Sequence, residues 1–199
     1  MLKQGRSGVG FPDGRADSQE AIEVQLIGLI VKEDLRAFET LYRVYFPRLT
    51  RFLDRMIRSS HLIEETINDT MMVVWQKADQ YNRSCKVSTW IFAIAYRKAL
   101  NVIRSLDLPI ESDSDDYPAV SDQEPETALE HLQLQKIFAQ ALDKLPMEQR
   151  NVVNLAYYHD MAYGEIAEIV GCPVNTVKTR MFHARRQLKV LLSAHLEVN

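Results

Sequence analysis

The chain has 199 residues, 46% hydrophobic and 26% charged, with only 7 Gly and 7 Pro, which excludes collagen-like, disulfide-scaffold and wholly disordered chains and leaves room for one or two cored domains. Cys85 and Cys172 stand far apart with no CxxC spacing, so neither a zinc site nor a disulfide framework is expected and a reducing compartment is the default. The net charge of −3 hides a segregation: residues 21–105 carry +4, residues 106–135 carry −9 and residues 136–199 carry +2. An acidic connector between two basic bodies is what a protein touching nucleic acid at two places would show, and equally what a solvating linker would show.

Residues 1–19 read as a flexible arm without the apolar core of a signal peptide, and no apolar run approaches the roughly 20 residues that cross a bilayer, so a cytoplasmic protein without membrane insertion is expected. A helical body follows over residues 20–105. It opens with a short segment, Glu20 to Val31. Next, Leu35, Phe38, Tyr42, Tyr45, Leu49, Phe52 and Met56 recur at three- and four-residue steps, one face of a long amphipathic helix that Pro47 should kink. A second helix carries Ile63, Ile67, Met71, Val74 and Ala78, and a third carries Trp90, Ile91, Ile94, Ala95, Leu100 and Ile103. Residues 106–126 hold three Pro and three Ser among few large apolar groups, too little to offset ordering entropy, and read as a flexible acidic linker. A second helical body occupies residues 127–199. No stretch alternates with period two, so the fold class is all-α in two helical domains.

Residues 162–188, AYGEIAEIVGCPVNTVKTRMFHARRQL, have the layout of a helix-turn-helix: Ala167 is small where helices cross, Gly171 permits a left-handed turn and Pro173 opens the next helix. Val177, Met181, Ala184 and Leu188 form that helix's buried stripe, leaving Asn175, Lys178, Thr179, Phe182, His183, Arg185 and Arg186 outward. With Thr176 and Arg180 these are the candidate major-groove and phosphate contacts, since Lys reaches guanine acceptors and an aromatic packs on a thymine methyl. The small-turn-Gly spacing alone also fits a plain helical hairpin; the clustered Lys178, Arg180, Arg185 and Arg186 favour DNA. A helical enzyme finds no support. The five His are scattered without ligand spacing, there is no HExxH, nucleophile elbow or phosphate loop, and no cofactor, metal or catalytic residue is expected.

The string EIAEIVGCPVNTVKTRMFHAR, preceded by LPMEQRNVVNLAYYHDMAYG, resembles region 4 of the sigma-70 family, specifically the small extracytoplasmic-function (ECF) sigma factors. Residues 36–105 independently resemble region 2 of the same family, in AFETLYRVYFPRLTRFL, EETINDTMMVVWQKA and STWIFAIAYRKALNVIR. The resemblance implies a promoter-specificity subunit that binds core RNA polymerase at its clamp helices and flap, melts the −10 element through region 2 and reads the −35 element through region 4. It places Asn68, Asp69 and Met72 on the polymerase-docking face. The loop YNRSCKV falls where the family captures a flipped −10 base, making Arg83, Lys86, Val87 and Ser88 candidate strand contacts, with Arg97, Asn101 and Arg104 on one face of the following helix. Trp90 reads as core. The family often has Asn where this chain has Arg97, which leaves the preferred −10 base open. An anti-sigma protein is a further candidate partner. The competing reading is a stand-alone helix-turn-helix regulator with an N-terminal sensor or dimerisation bundle, which would bind duplex DNA without polymerase.

Overall fold

The computed structural model describes residues 14–106 and 137–196; nearly all of the expected acidic linker, and the expected N-terminal arm apart from residues 14–19, lie outside the described residues. The helices are α1 (Gly14–Ile30), α2 (Leu35–Leu53), α3 (Ser60–Gln76), α4 (Val87–Leu106), α5 (137–143), α6 (Met147–Tyr158), α7 (Tyr163–Val170) and α8 (Val174–Leu196), with one 3₁₀ turn at Ala78–Gln80. No strand occurs among the described residues, as an all-α chain requires. Helix α1 starts at Gly14, ahead of residue 20 where the sequence placed the edge of the first body.

Asp34 starts α2 by accepting the backbone N–H groups of Arg36 and Ala37 at 2.9 and 3.1 Å. Of the expected stripe, Tyr45, Leu49 and Phe52 are buried, with Leu41 beside them, while Phe38 and Tyr42 are half-buried and Leu35, at the helix start, is exposed; the helix runs unbroken through Pro47, whose missing N–H costs one bond on a face open to solvent. It ends at Leu53, so Met56 packs into the core from the turn beyond rather than from the helix. Helix α3 buries Ile63, Ile67, Met71 and Val74 beside Thr66 and Thr70, whose hydroxyls donate to the carbonyls of Leu62 and Thr66. Helix α1 is anchored by Ile27, Ile30 and a buried Glu23, which accepts the Tyr45 hydroxyl at 2.6 Å and faces Arg48 at 3.4 Å.

Helix α4 differs from its neighbours. Six consecutive residues, Ile91 to Tyr96, are buried, which a helix achieves only when covered on every side. Helices α1, α2 and α3 cover part of it, and α7 of the second body covers the rest. Within that second body Val152, Leu155, Ile166, Ile169, Val177, Met181 and Ala184 pack α6, α7 and α8 together. Gly171 takes φ 68° and ψ 41°, the left-handed turn expected between α7 and α8. Pro173 lies just before α8, and its carbonyl accepts the N–H groups of Thr176 and Val177.

A polar seam joins the two bodies. The Asp143 carboxylate lies 3.5, 3.1 and 3.6 Å from Arg55, Arg58 and Arg150. Arg150, buried, also donates to the carbonyls of Arg55 and Leu145, and Asn154 donates to the carbonyl of Phe52. His159 sits edge-on to Phe52 and Phe92 of the first body, with ring centroids 6.1 and 4.8 Å away. Burial, reinforced by the Arg48 and Arg51 charges, pushes its pKa down from 6.5 to about 4.

The sign of the resulting pH dependence is fixed. At neutral pH His159 is uncharged whether the bodies are together or apart; below 6.5 a solvent-exposed His159 takes a proton that the packed one refuses until about pH 4. The packing therefore weakens as pH falls through that window, by about 2 kcal/mol at pH 5. Small-angle scattering or energy transfer between labels on the two bodies should report a larger separated fraction at pH 5 than at pH 7.5, and His159→Phe should flatten that dependence.

Candidate nucleic-acid interface

The outer face of α8 is open. Asn175, Lys178, Thr179, Phe182, His183, Arg185 and Arg186 are exposed, and the Phe182 ring, 64% accessible, stands edge-on to His183 at 5.5 Å. Lys178 and Phe182 lie one turn apart, so both can enter one major groove. Thr179 spends its hydroxyl proton on the Asn175 carbonyl, and Thr176 is half-buried at the helix start. Arg185 lies 6.0 Å above the Tyr157 ring. Arg180 differs from the exposed members of the set: it is half-buried, its guanidinium lies 3.8 Å from Cys172 Sγ, and its charge acts on the Tyr96 hydroxyl of α4, which puts it on the side of α8 toward the first body. It stands three residues after Val177 and four before Ala184, at the edge of the buried stripe.

On the first body, Arg97, Asn101 and Arg104 are exposed along one face of α4, as their spacing requires. The loop leading into α4 is partly covered. Lys86 Nζ pairs with Glu165 Oε1 of α7 at 3.0 Å, and the Thr89 hydroxyl reaches the same oxygen at 3.5 Å. The Cys85 thiol lies against Glu168; burial first, then that carboxylate, push its pKa up. Arg83 is exposed and Ser88 half-buried. Val87, grouped with the strand contacts by sequence, is instead a core residue with no accessible surface, because the first turn of α4 points it into the bundle.

The three residues that the resemblance assigns to polymerase docking lie together on α3. Asn68, Asp69 and Met72 are exposed, Met72 with 54% of its surface accessible. Two side chains outside the expected docking set hold this face: the Tyr42 hydroxyl, read from sequence only as part of the α2 stripe, donates to Asn68 Oδ1 at 2.7 Å, and Lys98 Nζ pairs with Asp69 at 2.8 Å. Asp69, Lys98 and Asn101 also line a groove of about 280 Å³ between α3 and α4, so this face of α3 adjoins the exposed face of α4 that carries Asn101. Among the described residues no cluster of His, Cys, Asp and Glu has the arrangement of a metal site, and no helix is long and apolar enough to cross a membrane.

Two family models match the chain in that order: sigma-70 region 2 over residues 41–108 and sigma-70 region 4 over residues 135–188. The ECF RNA polymerase sigma factor RpoE of Cereibacter sphaeroides is 31% identical over 163 residues, covering 80% of this chain and 88% of that protein. This chain belongs to the ECF sigma factors. The ECF sigma factor SigW of Bacillus subtilis is 29% identical over 170 residues, covering 80% of this chain and 91% of SigW. Among solved structures, the sigma factor RpoE of Bartonella quintana, in complex with the anti-sigma factor NepR, superposes with a TM-score of 0.64 at 22% identity, covering 78% of this chain and 96% of that one. CnrH, in complex with the cytosolic domain of CnrY, gives 0.64 at 21% identity over 87% and 98%. These two share the fold. As a sigma factor the chain is an RNA polymerase subunit for promoter recognition and transcription initiation, and its family is one of initiation factors.

Glu165 lends itself to a selective substitution. Its Oε2 accepts the Ala162 N–H at 2.8 Å at the start of α7 while Oε1 faces Lys86 and, at 3.5 Å, the Thr89 hydroxyl, so Glu165→Gln keeps an acceptor for the cap and loses the ion pair with that long Thr89 contact. An exposed pair contributes no more than about 1 kcal/mol, so the acid midpoint of separation should rise by up to about 0.7 pH unit, with the melting temperature unchanged. A pH titration of interdomain energy transfer in both proteins measures the shift.

Proposed function

We propose that this sigma factor divides promoter contacts between two faces: the outward side of α8 reads the −35 duplex, while loop 81–87 with Arg97, Asn101 and Arg104 of α4 holds the melted −10 strand. The observation that carries this reading is the placement of Lys178, Phe182 and Arg186 on one open helix face of one body, with Arg97, Asn101 and Arg104 on an open helix face of the other. Lys178 and Phe182 supply base-edge contacts and Arg185 and Arg186 phosphate contacts. Lys86 joins the strand contacts once its pair with Glu165 is broken, so strand capture and the closed arrangement are mutually exclusive at that side chain. Arg180 contributes to packing against α4 in the closed arrangement and to DNA only after the bodies part.

Core polymerase docks its clamp helices on Asn68, Asp69 and Met72 and its flap on region 4. The domain boundaries that fit this division are residues 20–105 and 127–199, with residues 106–126 as linker, and the α1 turns ahead of residue 20 belong with the first body. The cytoplasm, where polymerase works, is the compartment. An anti-sigma protein is a further partner, in keeping with the complex that contains NepR.

The decisive experiment adds the purified chain to core polymerase and asks whether specific initiation appears; start-site sequencing then supplies the promoter. Lys178→Ala should cost ~1–3 kcal/mol on the preferred −35 duplex and little on scrambled DNA, whereas Arg186→Ala should weaken both alike and lower the salt slope by ~1. Anisotropy across a salt series separates the two; equal losses for Lys178→Ala on both duplexes would reduce its role to phosphate attraction. Met72→Ala should lower core affinity about 10-fold without changing the melting temperature, since an exposed methionine stabilises the free fold little but buries fully on docking. Surface plasmon resonance against immobilised core polymerase reads it.

A further inference from the structure

The loop that meets the melted strand is fixed at both ends by a helix lying outside the segment matched to region 2, which begins at residue 41. We propose that Glu20 of α1 is a positioning residue for strand capture, acting through loop 81–87; the inference rests on the reading of that loop as the −10 contact. Glu20 Oε1 accepts the Val87 backbone N–H at 3.0 Å and lies 3.5 Å from the Tyr81 hydroxyl, which itself donates to the Cys85 carbonyl at 2.7 Å.

The chemistry explains why an acceptor is needed there. Val87 is the first residue of α4, and the Lys86 carbonyl accepts the Trp90 N–H, so Lys86 occupies the capping position. A lysine side chain only donates and cannot satisfy the free N–H groups at a helix start. Glu20 supplies from another helix the carboxylate that Ser or Asp would supply locally, at the positive end of the α4 dipole. Inside the loop, Asn82 Oδ1 accepts the Ser84 N–H, and Arg83 takes φ 59°, a left-handed conformation that costs a non-glycine residue energy and persists only where its surroundings hold it. The Tyr81 ring lies 5.2 Å from Trp90, and burial, with Glu20 beside it, pushes the hydroxyl pKa up to about 12, so it remains a proton donor to Cys85 at neutral pH. Glu20 thus sets where α4 begins and, with Tyr81, the path of the residues between. It is not what docks α1, because Glu23, Ile27 and Ile30 do that independently.

The test uses the full chain bound to core polymerase. The probe is the single-stranded non-template −10 strand of a promoter mapped by start-site sequencing. Glu20→Ala should lower single-strand affinity about 5- to 10-fold, the size of a lost cap, while Glu20→Gln, which keeps an accepting oxygen, stays within about two-fold of wild type. Tyr81→Phe, retaining the ring on Trp90, should fall between them. Core affinity and −35 duplex affinity should stay at wild-type values in all three, and the melting temperature should fall by no more than the few degrees that a lost cap costs. If Glu20→Ala binds the strand as well as wild type while Arg83→Ala and Lys86→Ala lose affinity, the loop reading stands and the role of Glu20 is overturned. If none of these variants loses affinity, the loop reading itself falls. A Glu20→Ala defect shared by strand, core and duplex binding with a melting temperature lowered further than that, or a Glu20→Gln defect as large as that of alanine, would also overturn the proposal.

Discussion

Helix α4 sets the architecture because its first half has no polar side to offer water. From Ile91 to Tyr96 every residue is buried, and a helix apolar all round needs neighbours in every direction. Three helices of its own body leave one flank, and α7 fills it. Tyr96 lies on that junction, where Arg180 and Glu148 of the second body act electrostatically on its hydroxyl; burial is the main cause raising its pKa.

Around this apolar contact lies a polar rim that gives it register more than strength. Three arginines converge on Asp143, and removing the carboxylate would leave Arg150 buried without its counter-charge. Burial already works against that charge, lowering the Arg150 pKa. Such clusters contribute little net stability and much geometric definition. The packed arrangement consequently treats the two surfaces proposed for promoter contact unequally: the α8 face is open, while Lys86, Cys85 and Thr89 are engaged by the carboxylates of α7.

Much of this was legible in the sequence where the signal is local. Periodicity located α2, α3 and α4, and Gly171 with Pro173 located the turn before α8, because spacing and backbone freedom are properties of adjacent residues. What could not be read depends on partners distant in the chain. Val87 was grouped with the strand contacts by its place in the sequence, yet the start of α4 turns it into the core. Glu20 and Val87 are 67 residues apart, and His159 meets Phe52 and Phe92 across the two bodies, contacts that no pattern of periodicity encodes. Arg180 was half legible: its spacing from Val177 and Ala184 places it at the stripe's edge, but not which body it faces.

The two oxygens of Glu165 have separate employments, one within α7 and one across the seam. The bond to the Ala162 N–H survives separation of the bodies, so the side chain keeps its rotamer when the contact opens. Of the entropy needed to remake the ion pair, only the lysine's share must be lost again. Re-engagement therefore starts from a half that is already in position, which favours rapid reclosure once a competing ligand leaves.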